Sequence, residues 1–173
     1  ISQGGTAPDP NYVTIGTQVW PKTNLNVGTL VTAGGTQTVG QKWCYNNIDT
    51  NGTCNGNGGL YQWGVATTSG GAGQTDICST GFHLPTDTEL TTLTNNLGTT
   101  PGDKLKKAGL CQGRTPCGTS GFNALLAGYS GSGSFGDLDS FGYFWSSSEY
   151  YATNAWYRSV ALTDTAVYRG SNK

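Results

Sequence analysis

The side chains able to do chemistry are few. The chain has five cysteines, Cys44, Cys54, Cys78, Cys111 and Cys117, and a single histidine, His83. None of the cysteines forms a Cys-x-x-Cys pair, and one histidine cannot complete a zinc set of recognisable spacing. Disulfides in an oxidising compartment are the better reading. Cys44 with Cys54 and Cys111 with Cys117 would each close a short loop, contributing roughly 2–3 kcal/mol by loop entropy. Cys78 is then left over, unpaired or joined to a cysteine beyond Lys173. His83 sits in "GFHLPTD" with no Cys or Ser partner placed beside it. A structural role follows, a ring nitrogen bonding backbone near a helix start, and no catalytic residue is assigned. Asp137 and Asp139 in "GDLD" are weak metal candidates that could join backbone carbonyls around calcium. Their alternative role is to hold a turn. "DTNG" (49–52) lacks the remaining ligands of a calcium loop, so no cofactor is assigned beyond calcium as a minor option. Asn51-Gly52-Thr53 fits the N-glycosylation pattern, and chance accounts for it.

The other notable chemistry is aromatic. "GYFWSSSEYYATNAWYR" (142–158) mixes rings with serines and very little charge. Tyr143, Phe144 and Trp145 are expected to enter the core, with Trp145 buried. Ser146 to Glu149 should turn the chain, their hydroxyls satisfying backbone groups. Tyr150 and Tyr151 would follow the strand end and stay exposed. Trp156 and Arg158 should face inward, the arginine paired with Glu149. Tyr157, Ser159 and Tyr168 would line an outer face with Asn154, Asp164, Ser171 and Asn172. Tyr gives rigid contact area at low entropy cost, and Ser and Asn give adaptable hydrogen bonds. The expected ligand-binding set is therefore Tyr150, Tyr151, Asn154, Tyr157, Ser159, Asp164, Tyr168 and Asn172.

These residues need elements to hold them. A chain of 173 residues suits one domain, and only 11% of it is charged, against about 25% in typical soluble domains. Net charge is −1, and "KLKK" (104–107), read as an exposed helix end or turn, is the only basic cluster, which argues against nucleic acid. No run is long and apolar enough for a membrane span. Residues 1–11 read as a polar linker following a removed N-terminal segment, and 12–173 as the domain. "YVTIGTQVW" (12–20) alternates like a hairpin turning near Gly16. "VGQKWCYNN" (39–47) reads as a strand, and 59–68 as a weak helix. The clearest helix is 86–97, opened by a Thr86/Glu89 capping box and carrying Leu90, Leu93 and Leu97. Strands follow at 154–162 and 166–170 around a turn at 163–165. The order of elements predicts an α+β fold.

Several stretches together resemble one family. They are "IGTQVW" with "NL" (15–25), "KWCYNN" (42–47), "GGLYQWGVA" (58–66), "ICSTGFHLPTDTEL" (77–90), "GFNALLAGY" (121–129), "YFWSSSE" (143–149) and "NAWYR" with "VYR" (154–169). From about residue 12 onward the chain resembles the Fibrobacter succinogenes major paralogous domain. That resemblance implies a C-type-lectin-like fold of the formylglycine-generating-enzyme type, one or two helices on short antiparallel sheets with long loops, stabilised by disulfides. It implies a closing strand after "VYR" whose cysteine would be the partner of Cys78. The late cysteine pair of formylglycine-generating enzymes has no counterpart after Cys117, and the Glu-Pro-Asn, Gln-Pro-Asp and Trp-Asn-Asp motifs of sugar-binding C-type lectins are absent. The expectation is a non-enzymatic extracellular adhesion domain on a bacterial surface or type IV pilin-like protein. It would bind a host-cell, protein or glycan ligand through about 150–172, without itself touching a membrane. Alternatives are a structural filament subunit contacting neighbouring pilins and a receptor diversified by a retroelement.

Overall fold

The computed structural model describes residues 2–3, 9–33, 35–68 and 76–172. The first sheet has order β1-β3-β2, from β1 (Ser2–Gln3), β2 (Tyr12–Ile15) and β3 (Gln18–Pro21). The hairpin at 12–20 forms as its alternation predicts. Within the expected linker, residues 2–3 pair with β3, and residues 1 and 4–8 lie outside the described residues. The expected strand at 39–47 is shorter. Only β5 (Gln41–Lys42) pairs, in parallel with β4 (Thr29–Leu30). The chain then enters 3-10 turns at Tyr45–Asn47, Thr50–Gly52 and Cys54–Gly56, whose central asparagines take positive φ. Asparagine tolerates that region better than most residues, which is why an Asn/Gly-rich run coils here.

Among the described residues three helices follow: α1 (Trp63–Thr68), α2 (Asp87–Leu97) and α3 (Pro101–Leu105). α1 begins later than expected. α2 matches its sequence signal, with both reciprocal bonds of the Thr86/Glu89 box present. α3 overturns the reading of "KLKK" as exposed. Leu105 and Lys106 are buried, and the Lys106 ammonium donates to Ala161 O (2.7 Å), Asp164 O (2.8 Å) and Asp103 Oδ1 (2.7 Å). A lysine in charged company looks solvated in sequence. Here three acceptors, one of them a carboxylate, replace its water.

The main sheet has five strands in the order β10-β9-β8-β6-β7. They are β6 (Ala127–Gly131), β7 (Ser134–Leu138), β8 (Phe141–Tyr151), β9 (Asn154–Ala161) and β10 (Val167–Asn172). All pairs are antiparallel except β6 with β8, which meet in parallel at Gly128 and Gly142. A Cβ on Gly128 would strike Gly136 O and one on Gly142 would strike Leu125 O, so the close crossing needs both glycines. α2 lies on one face, and Leu90, Leu93, Leu105, Ile15, Trp20, Leu126 and Val160 form the core with Phe122, Phe144 and Val167 packed against it. The molecule is thus α+β with few helices, held by disulfides Cys44–Cys54 and Cys111–Cys117, the pairs that loop closure favours.

Candidate functional site

β8 does not stop at Trp145. It continues through an irregularity between Trp145 and Glu149 to Tyr151, so the expected Ser146–Glu149 turn is a bulged strand. A bulge lets the strand bend while its hydroxyls take over lost ladder bonds. Ser146 Oγ donates to Trp156 O (2.9 Å), and Ser148 Oγ accepts the Asp87 N–H (3.0 Å) at the start of α2. The indole N–H of Trp63 donates to Ser146 O (2.7 Å), tying α1 to the same point.

Strand alternation then divides the aromatics between two faces. Phe144, Arg158 and Val160 point toward α2. Tyr143 and Trp145 point away from it, which corrects their expected place in the core. Register sets Tyr143 beside Ser159 and Ser159 beside Tyr168, with Trp145 beside Tyr157 and Tyr157 beside Gly170. The rings touch in sequence: Phe141–Tyr143 (5.9 Å), Tyr129–Tyr143 (5.9 Å), Tyr143–Tyr157 (5.7 Å) and Trp145–Tyr157 (5.9 Å). Most of these contacts are edge-to-face, the arrangement ring quadrupoles favour. Tyr157 lies over Gly170, where a Cβ would collide with its ring. Ser159, expected to be a contact residue, is only 6% exposed, flanked in register by Tyr143 and Tyr168. Tyr129 and Tyr168 are the open members of the strip, at 44% and 46% exposure.

Two carboxylates edge this aromatic strip. The Tyr143 hydroxyl donates to Asp137 Oδ2 (2.6 Å), and burial followed by this carboxylate pushes the Tyr143 phenol well above its usual range. The Tyr168 hydroxyl donates to Asp164, which raises the phenol and, with the Ala166 N–H, holds Asp164 below the ordinary carboxylate value. The Trp145 indole N–H donates to Tyr61 O (3.0 Å). Tyr61 in turn brackets Val27, donating to its carbonyl and accepting its N–H, both at 2.8 Å, and burial pushes its phenol up to about 12. The carboxylate-bonded phenols of Tyr143 and Tyr168 therefore stay protonated at neutral pH. The strip offers ring faces, hydroxyls and carboxylates without a nucleophile–base pair.

The rest of the expected set sits elsewhere. Tyr150 and Tyr151 are exposed, as expected, but pack on each other at a tilt (4.1 Å), and Tyr150 packs at a tilt on Trp156 (4.2 Å), on the α2 side. The Arg169 guanidinium covers the Trp156 ring at 3.2 Å and pairs with Asp87 (2.8 Å). Arg158 also pairs with Asp87 (2.7 Å), not with Glu149, and donates to Thr91 Oγ1 (2.8 Å). These bonds, that from Arg169 foremost, hold Asp87 below the usual carboxylate range against the opposing effect of burial. Asn154 pairs with Tyr151 at the hairpin end, and Ser171, expected on the outer face, pairs with Trp156 on the α2 side. Asn172 is exposed beside Ala155 at the end of β10. The sequence-derived set is thus split between a strip and a tip. Missing from it were Tyr129, Phe141, Tyr143 and Trp145. Their signal was the period-two spacing of 141, 143 and 145, which the run of adjacent rings obscured.

The remaining candidates resolve locally. Asp137, near the end of β7, and Asp139, in the turn that follows, both have positive φ, and among the described residues neither joins a group of three ligating side chains. Asp49 does lie with Cys44 and Cys54, but those sulfurs are bonded to each other. His83 Nε2 is 3.0 Å from both Glu89 oxygens. Burial opposes ionisation of Glu89, but the Thr86 N–H and His83 outweigh it and hold the carboxyl below its ordinary value. Cys78 carries a free, half-buried thiol pushed up to about 12 by burial and by Asp76.

The sequence model of the Fibrobacter succinogenes major domain matches residues 13–173, and the chain belongs to that family. No curated protein and no solved structure matches it.

Proposed function

We propose that this member of the family is a non-enzymatic recognition domain with a C-type-lectin-like fold, carried outside the cell at the head of a type IV pilin-like or other surface protein. Its ligand is a glycan or protein on another surface, taken by the strip of Tyr129, Tyr143, Trp145, Tyr157 and Tyr168 between Asp137 and Asp164. The observation carrying this reading is the run of ring contacts from Tyr129 through Tyr143 and Tyr157 to Trp145, with the phenol–carboxylate pairs Tyr143–Asp137 and Tyr168–Asp164 at its edges. Aromatic side chains give contact area without much loss of entropy, and the carboxylates supply directional acceptors for ligand hydroxyls or amides. The two disulfides fit an oxidising compartment. The tip of Tyr150 and Tyr151, on the α2 side, lies outside this surface.

The test compares two double variants in glycan-array and cell-adhesion assays. Tyr129→Ala with Tyr168→Ala should weaken binding at least about tenfold, the loss expected when more than 1.4 kcal/mol of contact is removed. Tyr150→Ala with Tyr151→Ala should change it far less. The reverse order would move the site to the tip. Adhesion untouched by either pair, with filament assembly impaired, would favour a structural subunit.

A further inference from the structure

Two lysines are buried among the described residues, and they are not alike. Lys106 has three acceptors for its three N–H groups. Lys42, 4% exposed on β5, has one acceptor at hydrogen-bond distance among the described residues, Asn26 Oδ1 at 2.6 Å. The nearest carboxylate oxygen, Asp49 Oδ2, is 3.9 Å away. An ammonium taken from water with two donors unmet is a costly arrangement. The side chains around it are also fixed. Asn26 Nδ2 donates to Gly52 O (2.7 Å), so its carbonyl must face the lysine, and Asp49 Oδ1 accepts the Cys54 N–H (2.7 Å), which leaves Oδ2 turned to Nζ. The Cys44–Cys54 disulfide holds the segment that carries Asp49 and Gly52 in place.

A buried amine held beside a carboxamide carbonyl and a carboxylate supplies the components of acyl transfer. We propose that Lys42 and Asn26 join in an intramolecular amide, with Asp49 moving the proton. The Nζ ammonium gives a proton to Asp49 Oδ2, and the freed amine forms a bond to Asn26 Cγ. Nζ gives up a second proton as that bond forms, the Cγ–Nδ2 bond breaks, and both protons pass by way of Asp49 to the departing nitrogen, which leaves as ammonium. No oxidant, metal or cofactor enters the balance. Afterwards a single amide N–H replaces the under-partnered ammonium, and it faces Asp49. Gly52 O, which loses its donor, lies where that bond is exposed and water can replace it. The link would staple the 26–28 loop to β5, a covalent brace beside the first disulfide.

Intact-mass spectrometry of the purified, oxidised full chain, incubated in neutral buffer, tests this. The expected mass is one ammonia below that of the sequence with its disulfides, and a tryptic digest should contain a branched peptide joining Lys42 to Asn26. Lys42→Arg and Asn26→Ala should each restore the full mass, and Asp49→Ala, checked for folding by circular dichroism, should slow or abolish the loss. Cyclisation at Asn51-Gly52 would also release ammonia, but it would survive Asn26→Ala. A wild-type chain at full mass with Lys42 in a linear peptide, or a deficit that persists in Asn26→Ala, overturns the proposal.

Discussion

Replacing Asp103 with Ala is the most informative perturbation of stability. Its carboxylate is 2% exposed and meets Lys106 Nζ at 2.7 Å and Arg114 Nε at 2.9 Å. Lys106 is wholly buried, so removing the carboxylate strands a positive charge that keeps only two backbone carbonyls. Breaking a buried pair from one side typically costs about 3–5 kcal/mol. Arg114, 29% exposed, can turn toward water and contributes little to that cost. A domain of ordinary stability has about 5–15 kcal/mol in all, so the variant should lose a large part of it, with Tm falling by about 6–20 °C. Asp103→Leu combined with Lys106→Met removes both charges and should be more stable than Asp103→Ala alone, because no unpaired ion remains. The acid limb supplies a second readout. Arg114 first, then Lys106, hold the Asp103 carboxyl below its ordinary value against burial. That stabilisation is complete above the unfolded value of about 3.9 and is lost as pH falls through the lower native value. Urea unfolding from pH 7 to pH 2 should show a shallower pH dependence in the variant. An Asp103→Ala cost below about 1 kcal/mol, or a double variant less stable than the single, would refute the reasoning.

Two further outcomes follow from single groups. Thr86→Ala removes the oxygen that accepts the Glu89 N–H and should cost about 1 kcal/mol by thermal melting, with no change to the rest of the fold. The Cys78 thiol, pushed up to about 12, stays protonated at pH 8, so iodoacetamide should label it slowly in the native protein and rapidly in urea; equal rates would show that the thiol is neither buried nor perturbed.

Much of the fold was legible because the relevant interactions are local. Thr86 and Glu89 reach each other within one helical turn, and the Cys44–Cys54 and Cys111–Cys117 loops are too short to pair otherwise with ease. The site was less legible. Tyr143, Phe144 and Trp145 are neighbours in sequence and read as one hydrophobic block, yet a strand sends alternate side chains to opposite faces. Arg158 was given Glu149 because the two are close along the chain. Its partner Asp87 lies 71 residues away and is brought to it by α2 packing on β9.

By itself, the sequence determined the α+β class, the capped helix, the hairpin at 12–20, the disulfide pairs and an unusually ring-rich, charge-poor final third. Tertiary structure alone decided which rings share a face, that Lys106 is buried among three acceptors, and that Lys42 meets Asn26 and Asp49. The reason is physical: caps, turns and short loops are satisfied by groups a few residues apart, whereas strand register and the pairing of buried charges depend on which distant segments exclude water together.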